Sequence, residues 1–279
     1  MAVKEQHIIE NKVKYIKETK TQAENDRLEK QVNPEEVVKK YLVPRLHGSE
    51  VMLDAGIGPG IIERELVKQF PKIQVTGIDN SEVRLERAAE NLKDCPNVTL
   101  ELGDITNLNF PNNSFDFIYS RLVLDHLSHE LQVQSIQGFL EMLKEGGKIV
   151  LQSLDLGLGR HSPPDSKLKE IKEKLHQTFL LHNYDPNCAR GLKGRALEAG
   201  ATVLETPQID SYKVFSHPVD PQEFEAYQMT LRGYEVIFTE AFVGKQEGQE
   251  AMNYMFNYIQ REDTITYSFL MTIMLGNNK

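Results

Sequence analysis

Between Glu50 and Ser153 the chain alternates short apolar runs with amphipathic stretches, and this rhythm narrows the available folds more than any other feature. Val51–Ala55, Val75–Ile78, Val98–Leu102, Phe115–Tyr119 and Lys148–Ser153 have the length and side-chain type of strands. Gly60–Phe70, Ser81–Lys93 and Ser128–Lys144 carry apolar residues at helical spacing. Ser81 is placed to cap the second helix; Val133, Ile136, Leu140 and Leu143 stripe the third, and Gly146 and Gly147 close it. Strand and helix in turn call for parallel neighbours joined by crossovers. The expected fold is α/β: a seven-stranded, mainly parallel, doubly wound sheet whose ligands sit at the carboxyl ends of its strands.

Helices flank this block. Ile9, Val13 and Ile16 fall at helical spacing, and Pro34 opens a further helix through Val37 and Val38 towards Tyr41. Beyond Asp155 the connection LGLGRHSPPDS leads to a charged helix over Lys167–His182 and another reaching Gly200. An extended segment begins at Thr202–Glu205 and resumes up to Phe215. Residues 221–262 are helical and rich in Met and aromatics, and Thr264–Leu275 suits an antiparallel last strand.

The bulk numbers exclude several functions. A net charge of −9, with no long Lys/Arg run, makes nucleic acid a poor partner. Cys95 and Cys188 lie far apart in no ligand pattern, and the eight His have no metal-ligand spacing, so no disulfide framework and no metal are expected. The opening MAVKEQHIIENK lacks the apolar stretch of a secretion signal, and no window approaches the ~18 apolar residues of a membrane span. The cytoplasm is the expected compartment.

The sharpest motif is Leu53-Asp54-Ala55-Gly56-Ile57-Gly58-Pro59-Gly60, where the leading strand turns into a helix. Glycines there let a ligand approach the backbone. A dinucleotide fingerprint would place its third glycine at position 61, which is Ile61. The spacing DxGxGxG instead resembles the first motif of class I S-adenosylmethionine-dependent methyltransferases. That resemblance covers roughly Glu50 to Ser153 and implies a Rossmann-like core. It implies that Asp54, Gly56, Gly58 and Gly60 hold the methionine part of the cofactor. Asp79, with Asn80, would take the ribose hydroxyls, and Asp104 the adenine amino group with Ile105 against the base.

Ser120 and Arg121 end the fourth strand, in a segment similar to the family's fourth motif, where cofactor and acceptor meet. It lacks the NPPY tetrapeptide of amino-methylating enzymes of DNA bases and of protein glutamine, and the Pro-Cys nucleophile of cytosine-ring methylases. Tyr15 and the pattern Glu24xxArg27-Leu28xxGln31 resemble the helical preface of secondary-metabolite methyltransferases, which folds over the cofactor. The implied domains are a lid at 1–47, the cofactor-binding core at 48–216 with a helical insertion at about 160–184, a substrate cap at 217–262, and the core's last strand at 263–279.

The expected reaction is in-line transfer of the sulfonium methyl of S-adenosyl-L-methionine, leaving S-adenosyl-L-homocysteine. Proximity and orientation contribute on the order of 7–11 kcal/mol, against roughly 3–5 kcal/mol for a general base. His126 is the candidate base for an oxygen acceptor, with Asp125 or Tyr15 orienting or replacing it. Met252, Met255, Phe256 and Ile259 share one helical face of the cap, beside Tyr254 and Tyr258, which favours a small, largely apolar or aromatic acceptor over a sugar. Transfer to oxygen or nitrogen leads and carbon stays open, in a monomer or homodimer. The competing readings are an NAD-dependent oxidoreductase and a non-catalytic cofactor-binding regulator.

Overall fold

The computed structural model describes residues 22–277, and the chain divides into two compact units, one ending at Ile105 and one beginning at Thr106. The first unit opens with α1 (Gln22–Gln31) and α2 (Pro34–Val37). Pro34 sits in the first turn of α2, where its missing N–H costs nothing, and Asn33 Oδ1 accepts from Glu36 N at 3.2 Å. The helix continues as a π turn over Val38–Leu42 and a 3-10 turn over Val43–Arg45.

Three strands follow: β1 (Val51–Ala55), β2 (Gln74–Asp79) and β3 (Val98–Leu102). They are joined by α3 (Ile61–Gln69) and α4 (Glu82–Asn91). The ladders are parallel in the order β3-β2-β1, with Asp54 opposite Gly77 and Asp79 opposite Leu102. Both connections are crossovers of the kind parallel pairing demands. Ile57, Ala88 and Leu92 are buried together, with Leu85, Cys95, Val98 and Leu100 packed on them. The apolar stripe of α4 thus faces the loop that follows β1. Ser81 precedes α4, but its side chain makes no capping bond; the cap expected there is absent.

The second unit holds β4 (Phe115–Arg121), α5 (His129–Met142), β5 (Leu143–Ser162), α6 (Ser166–Leu181), α7 (Cys188–Glu198), β6 (Thr202–Val203) and β7 (Gln208–Ser216). It ends with α8 (Pro221–Arg232), α9 (Glu235–Ala241), α10 (Lys245–Ile259) and β8 (Ile265–Gly276). β4 and β5 are parallel, and β8 runs antiparallel to β5, as expected of the last strand. On its other edge β8 pairs first with β7 and then with β6. The extended segment that begins at Thr202 and resumes up to Phe215 is thus two strands, with Pro207, which has no N–H to give a ladder, between them.

Two boundaries move. α5 stops at Met142 because Leu143 turns extended and pairs with Phe115, so Gly146 and Gly147 lie inside β5 and not at a helix end. Residues 160–162 of the supposed connection extend β5 and resume pairing with β8 after a shift between Asp155 and Arg160. No helix among the described residues is long and apolar enough to cross a membrane.

Candidate functional site

In the first unit Asp54 ends β1, and the chain then turns through Gly56, Gly58 and Gly60 at φ 102, 56 and 71. L side chains resist that left-handed region. Gly56 N and Ile57 N both donate to Ile78 O at 2.9 Å, which ties the loop to the end of β2. A Cβ on Gly60 would come within 2.6 Å of Leu92 Cδ1, whereas one on Gly58 would meet nothing within 4 Å. Gly60 is closed by packing; Gly58 borders open space.

Asp79, buried at the end of β2, holds this loop: its Oδ2 accepts from Gly58 N at 3.1 Å and its Oδ1 from Ser81 N at 3.0 Å, with Arg84 Nη1 at 3.6 Å. Beside it Ser81 Oγ and Arg84 Nε are buried with no hydrogen-bond partner among the described residues. Such groups are costly unless something else satisfies them. The resulting chemistry fits a ligand with vicinal hydroxyls: a carboxylate with lone pairs left over, and a hydroxyl and a guanidinium N–H with capacity to spare.

Asp54 and Glu63, 3% and 1% exposed, form a buried acid pair between β1 and the first turn of α3. Burial, then the charge of Glu63, pushes Asp54 well above the usual carboxylate range; burial raises Glu63 as well. Asp104 and Asn80 are exposed and Ile105 is buried, just past β3 and β2. Gln31 ends α1, while its side chain and all of Tyr15 lie outside the described residues. α1 is held to α4 through Arg87, which reaches Glu29 at 2.7 Å and Asp26 at 2.9 Å. Asn91 Nδ2 donates to both Glu29 Oε1 and Pro59 O at 2.8 Å. Glu24 pairs with Arg27 one turn along the same helix.

In the second unit Ser120 is buried, and Arg121 Nη1 and Tyr119 OH both donate to Gln152 Oε1, at 2.9 and 2.6 Å. A 3-10 turn over Leu124–His126 then presents His126 exposed and Asp125 buried. Asp125 Oδ1 accepts from Ser153 Oγ, and burial lifts its carboxyl to about 7 against the pull of Ser153 and Cys188. Asp125 O accepts from Asp185 N at 2.7 Å, and Asp185 pairs with Arg195. Asp125 thus anchors the turn from inside and does not point its charge at solvent. Burial pushes the Cys188 thiol up, leaving it neutral.

His126 meets Tyr184 edge-on at 5.1 Å, and Tyr184 packs with Phe179 at 5.0 Å and Tyr234 at 6.2 Å. Periodicity does not reveal this cluster, because its members come from a turn, a helix and two loops. Nor does it reveal Glu63, whose spacing reads as part of a wet helix face. In the cap, Met252, Met255, Phe256 and Ile259 are all buried. Phe256 lies edge-on to Phe224 and Tyr227, and Tyr254 OH and Tyr258 OH donate to Asp165 Oδ2 and Pro163 O. That stripe serves packing.

A family model described as a methyltransferase domain matches residues 52–147, the stretch carrying the glycine loop and the fourth strand. Over that stretch the chain is similar to methyltransferase domains. The chain is 28% identical over 172 residues to an uncharacterized methyltransferase of Schizosaccharomyces pombe, covering 59% of this chain and 61% of that protein. It is 28% identical over 166 residues to malonyl-acyl-carrier-protein O-methyltransferase 1 of Ilyobacter polytropus, covering 52% and 60%. The matched stretches thus span about three-fifths of these relatives' length. Among solved structures, phosphoethanolamine N-methyltransferase 2 of Haemonchus contortus, in complex with phosphomonomethylethanolamine and S-adenosylhomocysteine, is similar with a TM-score of 0.54. Identity there is 19%, over 86% of this chain and 52% of the nematode protein, so the likeness is one of fold.

Proposed function

We propose that this chain is an S-adenosylmethionine-dependent methyltransferase that moves a methyl group to an oxygen or nitrogen atom of a small, largely apolar acceptor, with carbon transfer open. The observation that supports this most is the Asp54–Gly60 loop: three left-handed glycines, of which Gly58 donates to Asp79, next to the buried acids Asp54 and Glu63 and within the stretch that matches the family model. The donor supplies a methyl already activated on a sulfonium. What remains for the protein is binding, orientation and exclusion of water.

In this reading Asp54 and the loop of Gly56, Gly58 and Gly60 take the amino-acid end of the donor. Asp79 and Asn80 take the ribose, with Ser81 Oγ and Arg84 Nε as further donors. Asp104 and Ile105 take the adenine, and Ser120, Arg121, Gln31 and Tyr15 are the further cofactor-binding residues. His126 accepts the acceptor's proton, while Asp125, buried beneath it, fixes the turn and so acts as a positioning residue. The rings of Phe179, Tyr184 and Tyr234 beside His126 support an apolar or aromatic acceptor. Nothing in this chemistry calls for a metal, and the protein works in the cytoplasm as a monomer or homodimer.

His126→Ala tests the base. Turnover of the best acceptor should fall by about 100-fold or more with donor affinity unchanged. Full turnover in the variant would remove His126 from the reaction.

A further inference from the structure

Glu63 occupies a position where a carboxylate is costly. It is 1% exposed, and its Oε1 finds no hydrogen-bond partner among the described residues. Its neighbour is another acid, Asp54, 3% exposed at the end of β1. Two neighbouring carboxylates this dry resist ionising together, so the pair keeps a proton, which one offers to the other, to well above the usual carboxylate range. Neither carboxylate can donate unless that proton is there, and the unpartnered Glu63 Oε1 leaves room for it.

The surroundings keep the pair isolated from compensating charge. Asp54 feels Glu63 from α3 and Asp79 from β2, both acidic. Arg84, from α4, is engaged with Asp79. In the Pro34–Arg45 segment packed on α3, the buried cation is Arg45, whose Nη1 donates to Tyr41 O at 2.8 Å. On α3 itself Arg64 follows Glu63 directly and is exposed, with Glu65 beyond it. A buried acid placed here without a salt partner serves the ligand side of the loop better than it serves the fold.

We propose that Glu63 is a positioning residue for the donor: through a shared proton it sets the charge and orientation of Asp54, which receives the donor's ammonium group. This rests on the methyltransferase reading, in which Asp54 meets the amino-acid end of the cofactor. A bound cation favours the more ionised form of the pair, so donor binding and loss of the shared proton are linked. Affinity in the native protein should therefore rise with pH as that proton leaves.

Calorimetric titration with S-adenosylhomocysteine from about pH 5.5 to about 8.5 tests it. The wild type should gain affinity across this range. Glu63→Gln, which donates permanently and does not titrate, should bind within about 3-fold of wild type at the acid end and show a flat profile. Glu63→Ala, which leaves Asp54 without its partner, should lose about 10-fold or more at every pH. Glu63→Gln carries the test should Glu63→Ala fail to fold. A Glu63→Gln profile parallel to the wild type, whatever its effect on melting temperature, overturns the proposal and leaves the methyltransferase reading standing. Absence of binding to the wild type overturns both.

Discussion

Gly58 and Gly60 share one loop and one handedness yet should respond differently to an added methyl. Gly58→Ala meets only backbone strain, about 1 kcal/mol, because no atom lies within 4 Å of the new Cβ. Gly60→Ala adds a clash with Leu92 and Ala88 and should cost roughly 2–4 kcal/mol in chemical denaturation. Equal losses would mean that packing against α4 does not set the loop. Asp125 makes a pH prediction of unusual sign. Its folded pKa, about 7, lies above the ordinary carboxylate value, so the folded state holds the proton longer than the unfolded one. The stability it contributes is complete below about pH 4 and is lost as pH rises to about 7, on the order of 4 kcal/mol at most. Asp125→Asn keeps an acceptor for Ser153 without the charge, and its melting temperature should fall less than that of the wild type between pH 5 and pH 8. Parallel profiles would place the titration elsewhere.

Among the elements, α1 depends on few contacts with α4, centred on Arg87, Glu29, Asp26 and Asn91. Arg87→Ala should open residues 22–31 to limited proteolysis and hydrogen exchange while the melting temperature of the rest barely moves. Unchanged protection would show that α1 is held by something other than this ion pair. In the cap, a Cβ on Gly248 would lie 2.8 Å from the Phe238 carbonyl carbon, so α9 and α10 approach backbone to backbone at that point. Gly248→Ala should destabilise by about 1–3 kcal/mol, read in urea denaturation; a neutral effect would mean that the helices separate freely. The alternation from β1 to β5 was legible because the largely buried strands β1, β2 and β4 read as apolar runs, and β3, exposed along much of its length, still carries Val98, Leu100 and Leu102 at alternate positions. The end of α5 was not, since the pairing of Leu143 with Phe115 is a long-range event that overrides the local signal of Gly146 and Gly147. The interruption between β6 and β7 was legible in the sequence, but not that both would pair with β8.

For the molecule as a whole, the donor side of the site was readable because its parts sit at fixed offsets from strand ends: Asp54, Asp79 and Asp104 each follow an apolar run. The acceptor side was less so, because His126, Phe179, Tyr184 and Tyr234 come from separate turns and helices that only tertiary structure gathers. Net charge −9 belongs to this scale too, and any retention on nucleic acid should vanish at moderate salt. The loop after β1 and the acids around it are shaped for an adenosyl sulfonium. Isothermal titration of the purified chain with S-adenosylhomocysteine and, separately, with NADH distinguishes this from a dinucleotide site. The first should bind saturably at one site per chain, weakened at least about 10-fold in Asp79→Asn, and the second should give no heat. Saturable binding of NADH with none of S-adenosylhomocysteine would show that the loop serves a dinucleotide.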